Sequence, residues 1–321
     1  VTQKIQKIFN LSSYVDPELA LVLDEIPEWS LSVDSLTFLR EYRMAEALPA
    51  PDGFTIDNYV VPGSDKDHRV PVRVYKPAGL SEEAPTLVWI HGGGFVMGDI
   101  SSSDLLCLGL AHHGQCAVVS VDYRLAPEHP FPAAFDDCYA VLDWLAQKPL
   151  EAKLSPDKIA VGGVSAGGGL AAAVALKSRD LKWPELEHQF LIIPDVDDRL
   201  ITDSSHRIHD SRVWDRSTAE ESWRMYLGES HNRNVSPYAA PARAADLSGL
   251  PPATVLVEDL DILRDEGIDY ANRLNDAGVR TELHVYPGTF HGHFGMAPDA
   301  AISRRTVDDI FTSVQRVFAP S

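Results

Sequence analysis

The chain has 321 residues, 45% hydrophobic and 23% charged, with a formal net charge of −19. That is apolar material for one large α/β core or two modest domains, and so acidic a balance disfavours nucleic acid and anionic membrane surfaces, which call for a basic face. No stretch reaches the length of a membrane-spanning helix, and the first ten residues, VTQKIQKIFN, lack the pattern of a secretory signal.

Residues up to about Pro49 carry helical spacing, in Pro17–Leu23 and again from Leu36 to Ala45, before Leu48-Pro-Ala-Pro51 breaks it. This amphipathic piece is a lid, a dimer arm or plain packing, and its own residues leave the three open. Ile56–Val61 and Val70–Tyr75 alternate like a hairpin around the polar stretch Gly63–His68. Thr86–Ile90 and Cys116–Val121 are continuous apolar runs, as strands buried on both faces should be. Helical stretches follow at Asp104–His112 and Ala133–Ala146. Ser155-Pro156 leads into a strand at Ile159–Val161, then a glycine-rich turn and a helix through Ala175; Gln189–Ile193 is the next strand. Residues 195–249 interrupt the rhythm, with a helix only at Thr218–Tyr226, and long insertions of this kind tend to sit over the ligand end of a sheet. Strand Ala253–Val257, helix Glu266–Asp276, strand Thr281–Tyr286 and a final helix over Ala300–Phe318 restore it. The alternation predicts a mostly parallel sheet with helices on both faces.

The three cysteines, Cys107, Cys116 and Cys138, fit no C-x-x-C spacing and read as reduced, partly buried thiols of a cytoplasmic protein. Asn10-Leu-Ser12 and Asn234-Val-Ser236 match the glycosylation pattern by chance on that reading.

Gly163-Val-Ser-Ala-Gly167 places a serine between two glycines at a strand-to-helix junction. This is the nucleophile-elbow pattern, in which a strained turn holds the hydroxyl out at the carboxyl end of the sheet and small residues let strand and helix approach. Serine needs a base to take its proton, and an imidazole base needs a carboxylate to fix its tautomer. In elbow-type hydrolases the chain order is Ser, acid, His. Downstream of Ser165, one strand ends in Glu258-Asp259-Leu-Asp261 and the last ends in Phe290-His291-Gly-His293. The order fits, and the candidates lie past strand ends, where the active groups of such sheets gather. His91-Gly-Gly-Gly94, after a buried strand, offers two backbone amides for an oxyanion, and Ala166 offers a third.

Taken together, His91-Gly-Gly-Gly-Phe-Val-Met-Gly98, Asp122-Tyr-Arg-Leu-Ala-Pro-Glu-His129, Gly163-Val-Ser-Ala-Gly-Gly168, Leu263-Arg-Asp-Glu-Gly267 and His291-Gly292 resemble the hormone-sensitive-lipase-like esterases, whose bacterial members are carboxylesterases. The likeness runs from about Val70 to the carboxyl end, with heroin esterase and similar acetyl esterases as the nearest branch. It implies an α/β-hydrolase fold over residues 51–321, with a helical cap from residues 1–50 and the 195–249 insertion. It also implies Ser165 as nucleophile, His291 as base, Asp261 as its orienting acid, and oxyanion amides at Gly93, Gly94 and Ala166, with His91 shaping the glycine loop. Two departures stand out. Val164 replaces the acid that usually precedes the nucleophile, and Ile262 replaces the proline that usually follows the triad acid.

The function implied is hydrolysis of small, short-acyl esters without a cofactor or a metal, by a protein with no nucleic-acid or membrane partner and open to homodimerisation. A small-molecule receptor on the same fold and an amidase or lactonase with the same triad are the alternatives; retention of His291 argues against the receptor. Glu258 and Asp259 rival Asp261 as the acid, and His293 rivals His291 as the base. An H-x-H pair also suits zinc, though further ligands are not evident nearby. Phe95, Trp214, Trp223 and Tyr226 line the substrate pocket or pack the core and cap. His112-His113, His206 and His209 read as surface or loop histidines, Asp136-Asp137 as the solvated face of a helix, and Tyr123, Arg124 and Glu128 as scaffold with a buried ion pair.

Overall fold

The computed structural model describes residues 11–43, 47–64, 67–149, 152–154, 156, 158–231 and 233–319. Residues 1–10, Met44-Ala45, Asp65-Lys66 and Ser155, each part of a sequence motif above, lie outside them. The strands are β1 (Phe54–Pro62), β2 (Arg69–Pro77), β3 (Thr86–Ile90), β4 (Ala117–Val121), β5 (Ile159–Val164), β6 (His188–Ile192), β7 (Ala253–Glu258) and β8 (Thr281–Tyr286). The helices are α1 (Pro17–Leu23), α2 (Val33–Arg43), α3 (Asp104–Gly114), α4 (Ala133–Ala146), α5 (Ala166–Leu181), α6 (Asp203–Arg207), α7 (Arg216–Leu227), α8 (Arg264–Asp276), α9 (His293–Met296) and α10 (Ala301–Phe318).

The strands form one sheet in the order β1-β2-β4-β3-β5-β6-β7-β8. β2 runs antiparallel to β1 and β4, and every other pairing is parallel. Strand residues alternate between faces, so β3 sends Leu87 and Trp89 into one core and Val88 and Ile90 into the other. The first core is closed by α3 and α10 through Leu110, Ile310, Val314 and Phe318; the second is closed by α4, α5 and α8. Both faces are covered, which is why the central strands read as unbroken apolar runs. Among the described residues no helix is long and apolar enough to cross a membrane.

Three local readings need revision. The elbow strand runs on through Gly162 and Gly163 to Val164, because parallel pairing with β3 and β6 continues past the apolar residues. The helix after it continues past Ala175 to Leu181, where Lys182 adopts a left-handed conformation (φ 54°) and ends it. Asp136-Asp137 is not a solvated pair. Asp136 is partly exposed opposite Lys177, but Asp137 is fully buried, accepting from Arg124 Nε at 2.9 Å and from its Nη2 at 2.7 Å. One helical step turns Asp137 toward the core beside Cys138, and the loop after β4 delivers the guanidinium that satisfies it.

The N-terminal helices share the second core through Leu19, Leu23, Leu36 and Leu39. Arg40 of α2 donates to both carboxylate oxygens of Glu128 at 2.8 Å and to the carbonyls of Val96 and Ala126 at 2.8 and 2.9 Å. Trp29 donates its indole N–H to Arg212 O at 3.1 Å, and its ring lies 6.3 Å from that of Trp214. The amino-terminal segment thus meets both the 195–249 insertion and the loop after β3.

Candidate active site

β5 ends at the elbow, and the chain turns there only because two side chains are missing. A Cβ on Gly163 would lie 2.3 Å from Gly167 O, and one on Gly167 would lie 2.1 Å from Ile90 O. Between them Ser165 takes φ 58°, ψ −122°, a conformation that L-residues rarely adopt. Its backbone N–H donates to Ile192 O at 2.8 Å, and its carbonyl accepts from the N–H of Gly169 and of Asp195. Turn, helix and neighbouring strand end therefore hold the strained residue together. Val164, in the place of the usual acid, is partly buried against the α3/α10 core.

The loops after β7 and β8 converge on this serine. Ser165 Oγ lies 2.9 Å from His291 Nε2, and His291 Nδ1 lies 2.7 Å from Asp261 Oδ2. Because Asp261 accepts, Nδ1 carries the hydrogen and Nε2 is left to accept from the serine hydroxyl. All three are buried. Asp261 Oδ1 also accepts from Leu263 N–H at 3.0 Å, so the carboxylate closes its own turn, with Ile262 in the place of the usual proline. Burial works against protonation of His291, but Asp261, and after it Glu258 and Asp195, outweigh burial and raise its pKa above the ordinary 6.5.

The rivals sort cleanly by position. Asp259 is partly exposed beside Arg264, with 3.5 Å between carboxylate and guanidinium. Glu258 and His293 are buried and bonded to each other at 2.6 Å. Glu258, Asp261 and His291 bring ligand-type atoms within 4.8 Å of one another. Each of the four carboxylate oxygens already faces an N–H or imidazole nitrogen of the protein, so the cluster holds its own hydrogen-bond partners rather than the bare donor set of a cation site.

The glycine loop after β3 passes directly over the elbow: a Cβ on Gly92 would lie 3.4 Å from Ser165 Cβ. The backbone N–H groups of Gly93 and Gly94 make no backbone hydrogen bond among the described residues, and Ala166, the first residue of α5, has no intrahelical acceptor. His91 stacks on Tyr123 at 4.2 Å and donates from Nδ1 to Gly92 O at 2.7 Å. Burial pushes its pKa down to about 4, which favours the neutral imidazole in this contact with the loop.

Trp214 stands over the site, its ring 6.0 Å from that of His291. Phe95 stacks on Tyr226 at 4.0 Å and lies 5.1 Å from Trp223. Three residues that the sequence reading gave no role pack around the site. Ser222 donates to Gly94 O at 2.5 Å and braces the glycine loop from α7. Asp195, immediately beyond β6, is fully buried and accepts from the indole N–H of Trp223 at 3.1 Å. Burial pushes its carboxyl up to about 7, against the pull of His291 and Trp223. Glu266 is buried next to it and accepts from Val196 N and Asp197 N at 2.8 and 3.1 Å. The signal for Asp195 was its place just past a buried strand, but without a motif nothing separated it from an ordinary loop acid.

A serine hydroxyl bonded to an imidazole, which is anchored in turn by a buried carboxylate beside backbone amides that have no backbone partner among the described residues, is an arrangement suited to acyl transfer. The comparisons with known proteins agree. A family model for the α/β-hydrolase fold matches residues 87–295. Carboxylesterase NlhH of Mycobacterium tuberculosis (strain ATCC 25618 / H37Rv) is 35% identical over 288 residues, covering 88% of this chain and 90% of that protein. An arylesterase of Saccharolobus solfataricus is 35% identical over 254 residues, 78% of this chain and 81% of that one. Among solved structures, a bacterial heroin esterase superposes with a TM-score of 0.90 at 42% identity, covering 97% of this chain and 100% of its own. The chain belongs to the hormone-sensitive-lipase-like family of the α/β-hydrolase fold, and its enzymatic class is carboxylic ester hydrolase.

Proposed function

We propose that Ser165, His291 and Asp261 are the catalytic triad, and that Gly93, Gly94 and Ala166 form the oxyanion hole of an esterase for short-acyl esters. The observation that carries this reading is the unbroken hydrogen-bond chain Ser165–His291–Asp261, at 2.9 and 2.7 Å. His291 Nε2 takes the hydroxyl proton as Ser165 Oγ attacks the ester carbonyl, and the three amides meet the charge that develops on oxygen. The imidazolium gives its proton to the departing alkoxide, leaving an acyl-serine. Water, deprotonated by the same nitrogen, then attacks the acyl carbon, and the carboxylic acid leaves with the serine restored. Trp214, pressed against Gly94 and close to His291, limits the room beside the serine and supports a small acyl group. The ties of α1, α2 and the 195–249 insertion to each other and to the glycine loop support their reading as a cap. Buried, unpaired Cys107, Cys116 and Cys138 fit a cytoplasmic protein.

A fluorophosphonate probe should label the native enzyme once, at Ser165, and peptide mapping by mass spectrometry reads the site. Labelling elsewhere, or none, would sink the assignment. A panel of p-nitrophenyl esters, anilides and lactones separates ester hydrolysis from amidase or lactonase action, since all three chemistries share this triad.

The oxyanion loop makes a further prediction. Gly94 has φ +60°, and a Cβ there would lie 2.3 Å from Trp214 Cη2 and 3.0 Å from Ser222 Oγ. Gly94→Ala must therefore move the loop or the indole. We expect kcat for p-nitrophenyl acetate to fall by roughly 10²–10³, the usual consequence of a lost oxyanion donor. A variant with unchanged kcat would remove Gly94 from the hole.

A further inference from the structure

The loop carrying His291 is held from two sides, and Asp261 supplies only one of them. Glu258, the last residue of β7, accepts the N–H of Gly292 at 2.9 Å with Oε2 and faces His293 Nδ1 at 2.6 Å with Oε1. His293 Nε2 lies 3.3 Å from Thr306 Oγ1 on α10, and that hydroxyl reaches Ile302 O at 3.0 Å. Glu258, His293 and Thr306 are at most 1% exposed.

The hydrogens along this chain can be counted. Thr306 has one hydroxyl hydrogen, and Ile302 O at 3.0 Å is nearer to it than His293 Nε2 at 3.3 Å; with the hydrogen given to the carbonyl, the hydroxyl oxygen accepts Nε2–H from His293. One further hydrogen must then lie between Nδ1 and the carboxylate. On that arrangement Glu258 and His293 together carry no net charge, whether the proton sits on nitrogen or on oxygen.

We propose that Glu258 and His293 are a charge-neutral positioning pair for the catalytic base: Glu258 clamps the peptide that follows His291, and His293 cancels a carboxylate that would otherwise stand as a second negative charge beside the imidazole. The inference rests on the reading of His291 as base. Cancellation matters because Glu258, Asp261 and His291 place polar atoms within 4.8 Å of one another. A base must be unprotonated to work, and a nearby anion favours the imidazolium. The titratable groups facing His291 are Asp261 and Glu258 from the β7 end and Asp195 from beyond β6, with Asp197 and Glu266 acting on Asp195.

The test is the acid limb of kcat/KM against pH, with p-nitrophenyl acetate as substrate. His293→Gln keeps an N–H for Glu258 but brings no proton, so the limb should move up by about one pH unit. Glu258→Gln keeps an acceptor for Gly292 N–H and a neutral pair, so its limb should stay in place. The double variant Glu258→Gln/His293→Gln should bring the limb back to the native position, which a merely structural role would not do. Glu258→Ala removes the clamp, and kcat should fall by roughly 10–100-fold with KM little changed. An unmoved limb in folded His293→Gln, or a double variant that fails to restore it, overturns the proposal. Should His293→Gln not fold, native kcat in Glu258→Ala overturns it instead. An enzyme that labels at Ser165 yet shows an unmoved limb defeats this inference alone; absence of labelling defeats the triad reading as well.

Discussion

Ser165→Ala is expected to lower kcat for p-nitrophenyl acetate by about 10⁶-fold while the protein stays folded. Losses of that order follow removal of a serine nucleophile, because base, acid and oxyanion donors act only through it. The fold should survive because alanine keeps the Cβ, so the strain at φ 58°, ψ −122° is no greater than in the native chain. The side chain's bond to His291 Nε2 is lost, at a cost of about 1 kcal/mol. Backbone bonds to Ile192, Gly169 and Asp195 are untouched. Steady-state kinetics with a thermal melt reads both halves, and turnover within tenfold of native would refute Ser165 as nucleophile.

The second large effect is expected from Asp261→Asn, about 10⁴-fold in kcat with KM nearly constant. Leu263 N–H, 3.0 Å from Oδ1, pins the oxygen of the new amide on its own side. The NH₂ group then faces His291 Nδ1 and can only donate. Nδ1 must become an acceptor, the hydrogen moves to Nε2, and the imidazole can no longer accept from Ser165. Glu258 cannot step in, since Gly292 N–H and His293 hold its two oxygens. More than a tenth of native kcat in this variant would return the choice of acid to Glu258 or Asp259.

What could be read without coordinates was whatever a few adjacent residues encode. The elbow was legible because steric room is local: Gly163 and Gly167 flank Ser165, and both positions meet backbone at under 2.5 Å where a Cβ would stand. The parallel sheet was legible because strands covered on both faces, such as Thr86–Ile90, must be apolar throughout. The choice of Asp261 leaned on family resemblance, because Glu258, Asp259 and Asp261 are equally plausible strand-end acids. Burial and distance separate them: one accepts from His291, one pairs with His293, and one faces Arg264 at the surface. Asp137 was misread for the same reason, since its partner Arg124 is on another element and helical spacing alone does not report it.

The sequence by itself therefore determined the fold class, the turn that exposes Ser165 and the chain order of the candidate groups, all properties of short contiguous stretches. Only the tertiary structure decided which groups meet. Ser165 and His291 are 126 residues apart, and Trp29 reaches the carbonyl of Arg212 across 183. The seating of Trp214 over the site, the burial of Asp195 and the contact of Glu258 with His293 arise where loops from different strands converge, and convergence is set by packing of the whole sheet rather than by any one segment's preference.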